Sequence, residues 1–158
     1  MDKDELIELL KEYNTNKAKL NIRLKELKTA RIKLKNKNFE TSITSSFGIN
    51  QDIQSKNKIS NKVLNKVEDN EKRKEEAEQE ISNLEKEVRE LREKVEQVKD
   101  RLEGLKYKER EILIAYYIDG RTAEDIGNNL YFRLFNQTRS SRHIQRIIEK
   151  AINKMLKL

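Results

Sequence analysis

The residues best equipped for chemistry lie toward the end of the sequence, where Arg139, Ser140, Ser141, Arg142, His143, Gln145, Arg146 and Lys150 follow one another closely. Arginine and glutamine carry planar donors that can bond two base-edge atoms at once, and a local positive field releases the counterions of a phosphate backbone. If this stretch is a helix, Ile144, Ile147, Ile148, Ala151, Ile152 and Met155 form its inner face at steps of three and four, and the basic groups point outward. The alternative is a basic helix end that merely complements its dipole; it is less favoured, because the arginines cluster at the beginning of that helix, where the backbone dipole disfavours cations. The chemistry expected of this face is recognition of nucleic acid by a helix lying in the major groove.

Other chemistries lack their residues. The 158 residues include no cysteine and one histidine, and glycine occurs only at Gly48, Gly104, Gly120 and Gly127. That composition excludes disulfides and thiolate metal sites, and it contains no glycine-rich loop to cradle a phosphate. His143 stands among arginines, a poor setting for a metal ligand. The many carboxylates of residues 68–96 belong to a solvated helix surface, without the enclosed pocket that shifts a pKa. We therefore expect no catalytic residue, no cofactor, no metal and no enzymatic activity. No apolar run approaches the ~20 residues of a membrane span, and Met1-Asp2-Lys3-Asp4-Glu5 does not read as a secretory signal. A soluble, cytoplasmic protein with no membrane partner is the expectation.

The elements that position the basic face follow from composition. Charged residues make up 40% of the chain and the hydrophobic set only 35%, too little to fill one compact core over the whole length. With no proline, nothing interrupts long helices. The predicted fold class is all-α: a long N-terminal helical hairpin or coiled coil, followed by a small C-terminal helix-turn-helix domain. Residues 1–38 form a basic amphipathic helix whose seam is Leu6, Leu10, Tyr13, Leu20, Leu24, Leu27 and Leu34, interrupted by Lys17 and Arg31. Residues 39–60, rich in Ser, Thr, Asn and Gln, read as a flexible polar linker. In 61–105 the seam Ile81, Leu84, Val88, Leu91, Val95, Val98, Leu102 and Leu105 alternates three- and four-residue steps without exception, which is a coiled-coil pattern.

Flanking charges bear on what that seam pairs with. A parallel homodimer would set Glu80 against Glu85, Lys94 against Lys99 and Arg101 against Lys106, three repulsive contacts, although the β-branched and Leu positions suit two parallel strands. An antiparallel dimer satisfies Glu80 with Arg101 and Glu87 with Lys94. An intramolecular hairpin is also complementary: residues 11–37 carry ten basic and two acidic side chains, and 68–96 carry seven and twelve. The hairpin is preferred, a homodimer through the coiled coil comes next, and both hold if hairpins associate.

Residues 106–158 change to the spacing of a compact domain. Gly120 stands where a helix ends with positive φ, and Thr122 with Asp125 resembles a capping box opening a helix from Ala123 to about Leu130. Gly127 marks a place where a neighbouring helix approaches closely, and the last helix runs from Ser140 or Ser141 to about Leu156. Residues 131–158 hold seven basic groups and one acidic one, so their +6 nearly equals the +7 of the whole chain.

The stretch Leu105-x4-Arg110-Glu111-Ile112-Leu113-x3-Tyr117-Ile118-Asp119-Gly120-x-Thr122-x2-Asp125-Ile126-Gly127-x2-Leu130 resembles the start of region four of bacterial sigma factors. The run Ser140-Ser141-Arg142-His143-Ile144-Gln145-Arg146-Ile147 is similar to the recognition helix of sigma-like phage late-transcription regulators of the ArpU and RinA type. The resemblance implies a helix-turn-helix on double-stranded DNA, with Arg142, Gln145 and Arg146 at the bases and Ser140 or Ser141 as cap. It further implies phage or prophage origin, a bacterial host cytoplasm and a role in transcription, with bacterial RNA polymerase as a further partner. Seven residues from Tyr131 to Gln137 are additional to the family's tight turn. Their aromatics pack as a lid, or Arg133 with Phe132 or Phe135 adds a contact to DNA or polymerase.

The expected function is sequence-specific DNA binding in transcription regulation. A phage DNA-packaging protein resembling a terminase small subunit, or a coiled-coil assembly protein, is the alternative; a ring of many subunits in light scattering would favour it. An adaptor whose basic surface takes an acidic protein is a third reading, distinguished by partner binding that persists when salt abolishes DNA binding.

Overall fold

The computed structural model describes residues 1–36 and 56–158, with side chains of the second stretch described from 68 onward. The described residues form helices joined by short loops and contain no strand. Helix α1 is Lys3–Asn36 and α2 is Lys56–Glu103. Helix α3 is Tyr107–Leu113 and widens into a π-helical turn at Ile114–Ile118. Helix α4 starts as Ala123–Asp125, passes through a π-helical turn at Ile126–Leu130 and ends as Tyr131–Phe135; α5 is Ser141–Met155. No helix among the described residues is long and apolar enough to cross a membrane.

Two boundaries differ from expectation. Helix α2 begins at Lys56, so the last residues of the predicted 39–60 linker are helical, while 39–55 lies outside the described residues. With no proline or glycine between Lys56 and Glu103, nothing local delays the helix start to Asn61. Helix α4 continues past Leu130 to Phe135, so most of the seven additional residues extend a helix. Burial of Tyr131 favours continuation, and the chain leaves the helix only at Asn136, where φ is +53° and the amide donates to the Phe132 carbonyl at 2.8 Å.

The chain divides into two compact units. One, Ile22–Val88, pairs the later part of α1 with α2. Arg23 Nε lies 2.8 Å from Glu87 Oε2 and Arg31 Nη2 lies 2.7 Å from Glu85 Oε1, cross-helix pairs of the sign the hairpin reading requires. All four side chains are more than two-fifths exposed, so solvent screens both pairs and they bear on the orientation of the two helices more than on stability. Leu27 and Val88 are the buried apolar residues here; Ile81, Leu84 and Leu34 are half-buried and Leu24 is exposed.

The other unit joins Met1–Asn21 to Arg89–Leu158. Its single core contains Leu6 and Leu10 from α1, Val98 and Leu102 from α2, Ile112 and Leu113 from α3, Ile126 and Leu130 from α4, and Ile144, Ile148, Ile152 and Met155 from α5. Leu6 and Leu10 have no exposed surface. Helix α1 is started by a reciprocal cap: the Glu5 amide donates to Asp2 Oδ1 at 2.8 Å and the Asp2 amide to Glu5 Oε2 at 3.0 Å. Within the α1 seam, Asn16 is buried at 5% exposure while Lys17, where the expected register passes, is exposed. Asn14 Nδ2 donates to the Ile118 carbonyl at 3.2 Å, fastening α1 to the end of α3.

Candidate nucleic-acid interface

Three local devices set the orientation of α5. Gly120, at φ +70°, ends the helical run of α3, and the Arg121 amide returns to the Ala115 carbonyl at 2.9 Å. Thr122 caps α4: its side-chain oxygen accepts from the Asp125 amide at 3.2 Å. The Asp125 carboxylate accepts instead from Asn129 Nδ2 at 2.6 Å and lies 3.7 Å from Arg121. Ser140 caps α5, its Oγ accepting from the His143 amide at 3.4 Å. At the other end, Arg101 Nη1 donates to the Met155 carbonyl at 2.6 Å, a cation placed where the helix dipole favours one.

Gly127 is the contact on which the approach to α5 depends. Its carbonyl accepts the Arg139 amide at 3.0 Å, and a Cβ at this position would collide with the Arg139 carbonyl oxygen. The close neighbour is the strand of loop leading into α5, together with the Ile144 side chain, where the sequence suggested a helix. Absence of a side chain thus brings Arg139 onto the domain at the mouth of α5.

Helix α5 has the two faces its sequence requires. Ile144, Ile148, Ala151, Ile152 and Met155 are buried and Ile147 is half-buried. Ser141, Arg142, Gln145, Arg146 and Lys150 are exposed, as are Arg139 and Ser140 before the helix. Glu149 is the one acidic residue of α5 and is also exposed. Among the described residues no ion pair involves Arg133, Arg139, Arg142, Arg146 or Lys150. His143 is half-buried. Burial, and then the charges of Arg139, Lys108, Arg146 and Lys150, hold its imidazole below the ordinary value. Those causes place His143 within one basic cluster. Arg133 is exposed on α4 and makes no hydrogen bond, ion pair or cation–π contact with the α5 residues.

The additional aromatics take different positions. Tyr131 is 2% exposed and packs on Phe135 with ring centroids 4.9 Å apart, whereas Phe132 is 52% exposed beside Arg133. Tyr131 and Phe135 belong to the core and its margin, and Phe132 remains available at the surface.

One residue beside this surface, Lys108, carries no signal of its own in the sequence. Lys108, at the start of α3, donates from Nζ to the Tyr131 hydroxyl and sits over the Tyr131 ring at 4.5 Å. Arg139 lies 5.8 Å from the centroid of the same ring. For the Tyr131 hydroxyl burial acts upward, but Lys108 and Arg139 together hold its pKa below the usual phenol value. A lysine near a tyrosine 23 positions away is visible only once α3 and α4 are packed.

Comparison of the chain with family models, with curated proteins and with solved structures finds no match.

Proposed function

We propose that this chain is a sequence-specific DNA-binding transcription regulator, encoded by a phage or prophage, that reads double-stranded DNA with α5. The observation that supports it most directly is the make-up of α5 and its approach. Arg139, Arg142, Gln145, Arg146 and Lys150 are exposed together, opposite a fully apolar inner face. Such a surface is costly to a protein that leaves it unpaired, because the cations repel one another and the first of them stand at the positive end of the helix dipole. A duplex supplies the missing negative charge, and base edges match the planar donors of Arg142, Gln145 and Arg146. The sigma-like pattern of residues 105–147 adds bacterial RNA polymerase as a second partner. A homodimer through the long helices would bring two α5 faces to one operator.

Selection of bound fragments from genomic DNA with the full-length protein, followed by footprinting, is the decisive experiment. On the selected duplex, Arg142→Ala and Arg146→Ala should each weaken binding by about 1–3 kcal/mol if they read bases. An equal loss on every sequence would make them phosphate contacts. Failure of the intact protein to bind any duplex at low salt would reject the proposal.

A further inference from the structure

The contacts around Tyr131 join helices that a reading of α5 alone leaves unused. Lys108 comes from α3, and its ammonium donates to the Tyr131 hydroxyl while lying 4.5 Å from that ring and 5.4 Å from the ring of Phe135. Arg139 approaches the same tyrosine from the loop before α5, and the His143 ring stands edge-on to it at 6.4 Å. Arg146 and Lys150 add their charges at His143. Among the described residues, no carboxylate forms an ion pair with Lys108, Arg139, His143, Arg146 or Lys150.

Gathering five basic groups with no counter-charge is unfavourable, and the cation–π contacts to one tyrosine offset only part of it. The donors, however, suit an anion. A lysine ammonium has three N–H groups, of which Lys108 uses one on Tyr131. Tyr131 is buried, and its hydroxyl accepts from Lys108 and so holds that ammonium in place. Arg139 commits Nη2 to Gln137 at 2.8 Å, leaving other guanidinium N–H groups for a second acceptor.

We propose that Lys108, Arg139 and His143, gathered around the buried Tyr131, form a clamp for one phosphate of the DNA backbone, beside the α5 face that reads bases. The inference rests on the reading of α5 as a DNA-binding helix and adds to it a phosphate contact contributed by α3 and the loop before α5. Contacts of this kind fix register and orientation without selecting sequence. The bound phosphate offsets the charges of Arg139, Lys108, Arg146 and Lys150 on His143, so the imidazole takes up a proton on binding. Affinity therefore rises as pH falls through the range in which the imidazole of the complex is protonated and that of the free protein is not.

The test uses the full-length chain, its selected duplex and a scrambled duplex, with fluorescence anisotropy read across a salt series. Lys108→Gln should weaken both duplexes by the same factor, roughly 3–10-fold, and flatten the dependence of log K on log salt by about 0.9. Tyr131→Phe, which keeps the ring and removes only the hydroxyl, should give a smaller loss that is again equal on both. Unchanged affinity and slope in Lys108→Gln, alongside a loss in Arg146→Ala, overturns the clamp and leaves the DNA reading standing. Because His143 is the only histidine, its imidazole gives one resolved proton signal for NMR titration. Its midpoint should rise when inorganic phosphate replaces chloride at equal ionic strength, and rise less in Lys108→Gln. If the wild-type protein binds neither duplex, the DNA reading fails. The phosphate titration then decides the clamp alone: a rise sustains an anion site, and no rise discards it.

Discussion

At the scale of single residues, His143 is the most informative side chain of the basic surface. Burial first, and then Arg139, Lys108, Arg146 and Lys150, make the folded protein a weaker proton acceptor here than the unfolded chain, whose reference value is 6.5. A histidine depressed in this way contributes stability that is present above the unfolded value and is lost as pH falls through the lower, folded one. Thermal melts recorded from about pH 7.5 to about pH 5 should therefore show a steeper loss for the wild type than for His143→Gln. Parallel pH profiles would mean that the imidazole does not feel these cations. The identity of Arg142, Gln145, Arg146 and Lys150 as exposed residues was legible from helical period, because isoleucines at 144, 148 and 152 fix which side turns inward. The contact of Lys108 with Tyr131 was not legible, since neither residue type nor local spacing announces a partner on another helix.

At the scale of elements, the caps were readable and the length of α4 was not. Gly120, Thr122 and Ser140 act through bonds to residues at most six positions away, and such short-range chemistry is written in local sequence. The end of α4 was expected at Leu130, yet no breaker stands there, and the left-handed residue that closes the helix is Asn136. Gly127 joins this element to the next. Gly127→Ala places a methyl group against the backbone of Arg139, which has no flexible end to swing aside. The variant should lose about 1–3 kcal/mol in urea denaturation, the usual cost of overpacking. A change of only a few tenths would show that the loop before α5 yields, and that Arg139 is not held by this contact.

For the whole molecule, the consequential feature is the origin of the core around α5. Leu6 and Leu10 lie in the same apolar cluster as Ile112, Ile126, Ile144 and Ile152, although more than a hundred positions separate them from α5. Leu10→Ala should thus destabilise the unit that carries the basic surface by about 2–5 kcal/mol, with a cavity left where surrounding helices cannot close in. Leu24→Ala, at a position 37% exposed in the other unit, serves as the control and should cost well under half as much. Equal losses in denaturant melts would show that the N-terminal leucines do not close this core. The segment boundaries read from sequence follow helices and linker, whereas compactness groups residues 1–21 with 89–158.

The all-α class, the seams of both long helices, the three caps and the two-faced character of α5 follow from sequence, because each depends on spacing within a turn or two of helix. Half of the α1 seam also depends on what it meets: Leu6 and Leu10 are sealed while Leu24 is open, and period alone cannot distinguish them. Tertiary structure alone decided that α1 completes the core beneath α5, that Gly127 receives the Arg139 backbone, and that Lys108 and Tyr131 join Arg139 and His143. These are meetings between distant segments, set by which apolar surfaces gain most by leaving water together, and the polar groups at their edges are carried into contact by that packing.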